Sequence, residues 1–381
     1  MVEIARIQTT RQLKEFVDFP NRLYKDNPYF VPTLFFDEVN TLRADKNPAY
    51  EFCEAAFFLA RKNGRTAGRM GLILNRKANE TWSQKRVRFT RLDFIDDEEV
   101  SGALLGKAEE WARQRGMEEI HGPMGFSDMD QEGMLVEGFD ELSTMVTLYN
   151  HPYYMRHLER LGYTKDIDWV EYQLPVPDAP NEKLSRLAGD IEKRYGFRVV
   201  HFKKTKEILP YAQELFEVLN DAYKELYGVI HLTQAQIDSA IRQYFDFINP
   251  AFVKIVLDEE GRMAGFGIAI PSLSRALQRC GGRLFPLGWA YLLQSIRKND
   301  RLDLYLVGVR TQLRNRGINA LLMDAVTREA IRHGIRIVES NPELENNMKV
   351  RSQWKLYEHR QHRRRRCYVK RIAPAEPPAE Q

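Results

Sequence analysis

The stretch of this chain whose residue types and spacing best suit chemistry is VRTQLRNRGINALL, residues 309–322. It reads as a strand end, a basic loop and the start of an apolar helix. A helix that begins after such a loop presents backbone N–H groups with no intrahelical acceptor, and its dipole adds partial positive charge at the same end. That combination can hold a phosphate or another anion. Gly317 permits a positive φ or a close backbone approach, and Arg314 and Arg316 add cations at the rim. The same features describe an ordinary glycine-containing loop with solvated arginines, so the loop alone does not require a ligand.

The elements that would position this loop recur along the chain. Upstream, AFVKIVLDEEGRMAGFGIAI at 251–270 reads as a strand, a glycine turn and a strand, and RLDLYLVGV at 301–309 as the next strand. A helix runs through INALLMDAVTREAIRHG to Gly334, and IRIVES follows as a strand. The first half has the same order. AAFFLARKNGRTAGRMGLILN at 55–75 reads as two strands joined through Asn63-Gly64, a strong hairpin signal. VRFTRLDFID at 87–96 alternates as a strand, EEVSGALLGKAEEWARQRG is an amphipathic helix with Val100, Leu104, Ala108 and Trp111 on one face, and MEEIHGPM is a strand again. The pattern predicts an internal duplication. The fold class is α/β in the α+β sense: two tandem domains, each a mixed, mainly antiparallel sheet flanked by helices.

Length and composition agree. At 381 residues the chain exceeds what one core usually organises, and 43% hydrophobic with 29% charged residues is an ordinary soluble composition. The proline-interrupted QLPVPDAPNEK at 173–183 sets the expected boundary, giving domains over 1–175 and 184–372 and a disordered, proline-rich tail at 373–381. A net charge of +4 does not by itself indicate nucleic acid. Cys53, Cys280 and Cys367 lie far apart without ligand spacing, so neither a disulfide framework nor a metal site is expected. MVEIARIQTTRQLKEF has charges throughout and no run approaches the roughly 20 apolar residues of a spanning helix, which predicts a cytoplasmic protein with no membrane partner.

In this setting VRTQLRNRGINALL resembles the acyl-CoA-binding signature of GNAT acyltransferases, with Val309, Arg314, Gly317 and Asn319 at the signature places and Ala320 one residue beyond. The resemblance implies that the backbone at Val307 and Val309 pairs with pantetheine. It also implies that the loop Arg314, Asn315, Arg316, Gly317, Ile318, Asn319 and Ala320 holds the CoA pyrophosphate. The cosubstrate would be acetyl-CoA or another acyl-CoA. NMKVRSQWKLYEHRQH at 347–362 places Asn347 and Tyr357 where the family has a cofactor-binding asparagine and a tyrosine that protonates the departing thiolate, although the family's Gly-Phe is replaced by Gln361-His362. The first half carries the complement: NHPYYMRHLERLGY ends in Gly162-Tyr163, but Leu158 stands at the place of the acid. Where its phosphate loop belongs there is IDDEEV, whose acids suit a helix N-terminus and repel a diphosphate. The resemblance is therefore to a tandem GNAT-like protein with a degenerate first copy.

An amine acyltransferase needs an anchored thioester, a neutral amine, a polarised carbonyl and a proton for the thiolate. Tyr357 is the candidate acid, with packing beside Trp354 as its structural alternative. NDAYKELYGVIHLT at 220–233 lies where the family's acceptor-site helices sit, so Tyr223, Glu225, Tyr227 and His231 are substrate-binding candidates. His121 and His151 read as structural. HRRRRCYVKR at 362–371 can contact phosphates of RNA or of CoA, or form a charged edge strand, and the edge strand is the favoured reading. Three functions follow: an acyl-CoA-dependent N-acyltransferase acting on a small-molecule or peptide amine, a non-catalytic CoA-binding or regulatory protein, and an aminoacyl-tRNA-dependent transferase. Nothing in the sequence fixes the oligomeric state.

Overall fold

The structure, a computed structural model, describes residues 1–244 and 248–372. The expected disordered tail at 373–381 lies outside them. The first half runs β1 (Val2–Arg6), α1 (Thr10–Leu23), α2 (Phe35–Thr41), β2 (Cys53–Lys62), β3 (Arg65–Asn75), α3 (Arg76–Thr81), β4 (Arg86–Phe94), α4 (Glu98–Arg113), β5 (Glu119–Gly122), β6 (Met134–Glu137), α5 (Tyr153–Arg160) and β7 (Thr164–Pro175). The second half runs α6 (Glu182–Tyr195), β8 (Arg198–Val200), α7 (Ala212–Tyr223), α8 (Gln234–Tyr244), β9 (Val253–Leu257), β10 (Met263–Pro271), α9 (Ser274–Cys280), α10 (Gly288–Arg297), β11 (Arg301–Val309), α11 (Ile318–Arg332), β12 (Ile337–Glu339), β13 (Glu343–Leu344), α12 (Met348–Arg351) and β14 (Arg360–Arg371).

The hairpin signal at Asn63-Gly64 is realised: both residues take positive φ, 52° and 74°, and join β2 to β3. Each half then builds one parallel strand pair into an otherwise antiparallel order. Arg86–Arg88 of β4 lie beside Glu119–His121 of β5, and Arg301–Asp303 of β11 beside Ile337–Glu339 of β12. A helix makes each crossover, as a parallel connection requires. The α4 face formed by Val100, Leu104, Ala108 and Trp111 is buried as its spacing predicts. Both crossover pairs also carry a bulge on the earlier strand. It falls at Arg91 and Leu92 opposite Met70 in the first half, and at Tyr305, opposite the Ile268/Ala269 step, in the second. The duplication is thus visible in register as well as in element order.

The chain divides into two units at places other than the proline-rich break. Among the described residues, one unit comprises Met1–Val170, Leu277–Pro286 and Arg363–Ile372; the other comprises those of Glu171–Ala276 and Leu287–His362. In the first, the strand order is β1-β2-β3-β4-β5-β14 followed by the Thr164–Val170 part of β7, and β6 also pairs with β14. In the second, the last residues of β7 pair with β12, and β11, β10, β9 and β8 follow. The final strand, which the sequence reading assigns to the 184–372 domain, therefore completes the sheet of the first unit. Strand alternation in sequence carries no record of which sheet a strand joins.

That placement corrects the reading of HRRRRCYVKR as a charged edge strand. β14 is an interior strand, paired to β5 through Tyr368–Arg371 and to β6 through Arg364–Arg366. Arg363 and Arg365 are buried, their guanidinium groups donating to the carbonyls of Leu142 and Leu148. Arg364 and Arg366 share the buried Asp168 carboxylate, at 3.2 and 2.8 Å. These arginines are committed to intramolecular partners and form no exposed row for a nucleic acid.

Candidate functional site

The candidate site lies within the second unit, where β11 and β12 part. β12 accompanies β11 only from Arg301 to Asp303. Beyond the bulge, the Asn341 side-chain amide donates to the Tyr305 carbonyl at 2.5 Å and closes the start of the gap. The Arg310 N–H donates to the Ala264 carbonyl of β10 at 3.0 Å, so by alternation the backbone groups of Val309 and Val307 point to the opposite, open side. The Val307 carbonyl accepts the Tyr223 hydroxyl at 3.0 Å, and the Val307 side chain is exposed.

The loop that follows delivers the chain into α11 with its N-terminus open. Thr311–Leu313 form one 3-10 turn, Asn315 takes φ 67°, and Gly317, at φ 83°, is the N-cap and supplies no side chain to the helix. The backbone N–H groups of Asn315 through Asn319 make no hydrogen bond among the described residues, and the next, Ala320, donates to the Gly317 carbonyl at 2.9 Å. Gly317 is required for two reasons independent of any ligand: its positive φ, and Ile191 of α6, whose Cδ1 would lie 2.3 Å from an added Cβ. Ile318, Leu321 and Leu322 pack with Ala188 and Ile191 of α6, which fixes where the helix begins. Of the nearby cations, Arg310 is bound to Glu214 at 2.9 Å, and Arg314 donates to the Ala222 carbonyl at 2.8 Å. Arg316 is exposed, over the Tyr195 ring, without an ion pair among the described residues. Asn319 is also exposed, on the first turn.

The end of α7 clasps this loop through consecutive residues. The Asp221 carboxylate accepts the Thr311 N–H at 2.7 Å and Lys224 Nζ at 2.9 Å. Ala222 holds Arg314, and Tyr223 holds Val307. Burial opposes ionisation of Asp221, but the Thr311 N–H and Lys224 outweigh it and bring its pKa down to about 2.

The corresponding helix start in the first unit is closed. Asp97 is the N-cap of α4, and its carboxylate accepts the N–H groups of Glu99 and Val100 at 3.0 and 3.2 Å and pairs with Lys62 at 2.5 Å. Asp96 holds His157 Nε2 at 2.8 Å. An internal carboxylate thus fills the place that α11 leaves open, as the acidic IDDEEV implies.

The other sequence-selected residues are dispersed around the second unit. Asn347 is the N-cap of α12, its side chain accepting the Val350 N–H at 3.4 Å. Between Asn347 and Tyr357 the chain makes one short helical turn and a 3-10 segment, and Tyr357 follows in extended conformation. The Tyr357 hydroxyl is buried without a hydrogen-bond partner among the described residues, with Thr327 and Asp324 of α11 as its polar neighbours. Burial pushes its pKa up to about 12, so the phenol keeps its proton at neutral pH. Glu225 and His231 are exposed and Tyr227 is half-buried, on a loop whose return at Leu232 is tied to Asn220 at 2.9 Å.

The Asp221 clasp, the Tyr305 bulge and the state of Glu343 were not found from sequence. Glu343 accepts Trp354 Nε1 at 3.0 Å, and burial raises its pKa to about 7. In the first unit, ligand-type atoms of His121, Asp166 and Cys367 lie within 4.8 Å of one another, brought together from β5, β7 and β14. The Arg86 guanidinium bonds Asp166 at 2.8 Å, and burial holds His121 neutral. No spacing in the sequence could bring those three together.

No protein-family model matches the chain. Over 367 residues it is 27% identical to Protein YghO of Escherichia coli, spanning 94% of this chain and 93% of that protein. It is 28% identical over 326 residues to a bacterial ceramide synthase of Caulobacter vibrioides, spanning 83% of each. Among solved structures, a tandem GNAT protein from the clavulanic acid biosynthesis pathway superposes with a TM-score of 0.58 at 15% identity, covering 99% of this chain and 100% of that one. The chain has a tandem GNAT-like fold.

Proposed function

We propose that the second unit is an acyl-CoA-dependent N-acyltransferase. The observation that carries this reading is the run of open N–H groups from Asn315 to Asn319 beside Arg316, at the end of a strand whose neighbour has diverged. A diphosphate fits that donor set, with the helix dipole and one uncommitted guanidinium aligned to it. The open side of β11 offers the Val309 backbone and the Val307 N–H to the amides of a pantetheine arm, the Val307 carbonyl being held by Tyr223. Asn347 caps α12 and is given no further part.

In the transfer, the amine nitrogen attacks the thioester carbonyl carbon, the C–S bond breaks, the amine releases a proton and the thiolate takes one up. Tyr357, protonated at neutral pH, is the proposed proton donor, and Glu225, Tyr227 and His231 are proposed to face the amine. A ceramide is the amide of a fatty acid with a long-chain amino alcohol. The likeness to a bacterial ceramide synthase over 83% of each chain supports a long-chain amine as acceptor and a long-chain acyl-CoA as donor alongside acetyl-CoA. None of the three cysteines forms a disulfide, which suits a reducing, cytoplasmic setting.

A second reading, CoA binding without transfer, is favoured by one observation: the hydroxyl of Tyr357, the proposed proton donor, is buried against α11. An aminoacyl-tRNA donor is not favoured, because Arg363 and Arg365 are buried. Thiol release from acetyl- and palmitoyl-CoA in the presence of a long-chain amino alcohol separates the first two. Turnover that falls about a hundredfold in Tyr357→Phe with CoA affinity unchanged supports transfer. Binding with no turnover for either donor supports the second reading.

A further inference from the structure

We propose that the exposed side of α10 docks on an anionic phospholipid surface. Leu287, Trp289 and Leu293 are 57%, 50% and 42% exposed, whereas Leu292 on the same helix is buried. Trp289, Leu293 and Arg297 are spaced by four residues and so line one side of the helix. Large apolar side chains held in water at this density mark a surface that gains free energy when covered. Tryptophan, apolar in body with one N–H, is the side chain best suited to the boundary between headgroups and acyl chains.

Charge selects the occupant. No acidic residue occurs between Glu260 and Asp300, and α10 ends in Arg297 followed by Lys298. Arg297 and Lys298, at the end of α10, are exposed and make no ion pair among the described residues. Two cations following an apolar, tryptophan-bearing face are the arrangement by which an interfacial helix combines partial burial with attraction to anionic headgroups. A second copy of the chain fits this face less well, because that stretch offers no acid to pair with Arg297 or Lys298. Docking of this kind needs no spanning element, and no helix among the described residues is long and apolar enough to cross a membrane. It departs from the sequence-based expectation of no membrane partner. The proposal does not depend on acyl transfer, although a long-chain acceptor would reside at such a surface.

The test is co-sedimentation of the full chain with vesicles of phosphatidylcholine alone and of phosphatidylcholine mixed with phosphatidylglycerol. Binding to the mixed vesicles is expected, weakened about tenfold by Trp289→Ser with Leu293→Ser. Arg297→Glu with Lys298→Glu, on exposed positions that leave the apolar face intact, should weaken it by about tenfold or more, and so should high salt. Absence of binding to the mixed vesicles would overturn the proposal, as would variants that melt like the parent and bind equally well. A dimer in sedimentation velocity that the serine variant dissociates would assign the face to a second copy and also overturn it.

Discussion

The carboxylate of Asp221, on the last turn of α7, accepts the backbone N–H of Thr311 at 2.7 Å. The next two residues hold Arg314 and Val307. A loop whose N–H groups point outward has few internal bonds to fix it, and this clasp supplies them. Asp221→Asn is expected to lower unfolding free energy by about 2 kcal/mol in urea titrations. Because the folded pKa of Asp221 lies below its ordinary 3.8, at about 2, its contribution is present above pH 4 and lost as pH falls from about 4 to 2. The difference between parent and variant should close over that window. A difference that persists at pH 2 would show that the carboxylate's charge is not what matters.

Gly317 is held by both conformation and packing, so its replacement tests the fold before it tests a ligand. Gly317→Ala is expected to cost about 2 kcal/mol, because φ is 83° and the new Cβ meets Ile191 Cδ1. Ile191→Val removes that Cδ1. The double variant should therefore be less destabilised than the sum of the two single changes, as measured in a urea double-mutant cycle. Strict additivity would place the strain elsewhere.

Glu343 carries a pH signature of the opposite sign. Burial raises its folded pKa from 4.5 to about 7, so the folded state holds a proton that the unfolded state has lost. Stability should fall as pH rises from about 4.5 to 7 and stay lowered above it. Glu343→Gln keeps an acceptor for Trp354 and removes the charge. It should be more stable than the parent at pH 8, by on the order of 2 kcal/mol, and equal to it near pH 4. Parallel stability curves for the two proteins would contradict this.

The strand exchange gives a prediction that a contiguous two-domain chain would not. Removing residues 360–381 takes β14 from between β5 and β7 in the first unit. Limited proteolysis of that truncated chain should cut within residues 1–170, exposing segments such as β5 whose hydrogen bonds β14 completes. A protease-resistant first half would mean that the strand is dispensable there.

Much of the fold was legible because local chemistry dictates it. Asn63-Gly64 forces a hairpin, the four-residue spacing of Val100, Leu104 and Ala108 makes a helix face, and Gly116, Gly196 and Gly334 end helices with positive φ. IDDEEV was legible for the same reason, since an aspartate before a helix caps it. The pairing partner of β14 was not legible, because arginine alternation looks the same on an edge as inside a sheet with Asp168 waiting opposite. The Asp221 clasp joins residues 90 positions apart, and no periodicity records such a contact. Tyr357 could be located along the chain by resemblance, but its approach to Thr327 and Asp324 depends on how far α12 extends, and that helix stops after four residues.

The central claim is that the open N–H groups at the start of α11 hold the diphosphate of an acyl-CoA. Calorimetric titration of the full chain with acetyl-CoA and palmitoyl-CoA tests it most directly, with Arg316→Glu plus Asn319→Glu as comparison. Both positions are exposed, so the variant should melt as the parent does. The account predicts saturable binding of the parent and a loss of about a hundredfold or more in the variant, from removal of one cation and addition of two anions at the helix end. Equal affinity of parent and variant, or no binding of either thioester by the parent, would contradict it.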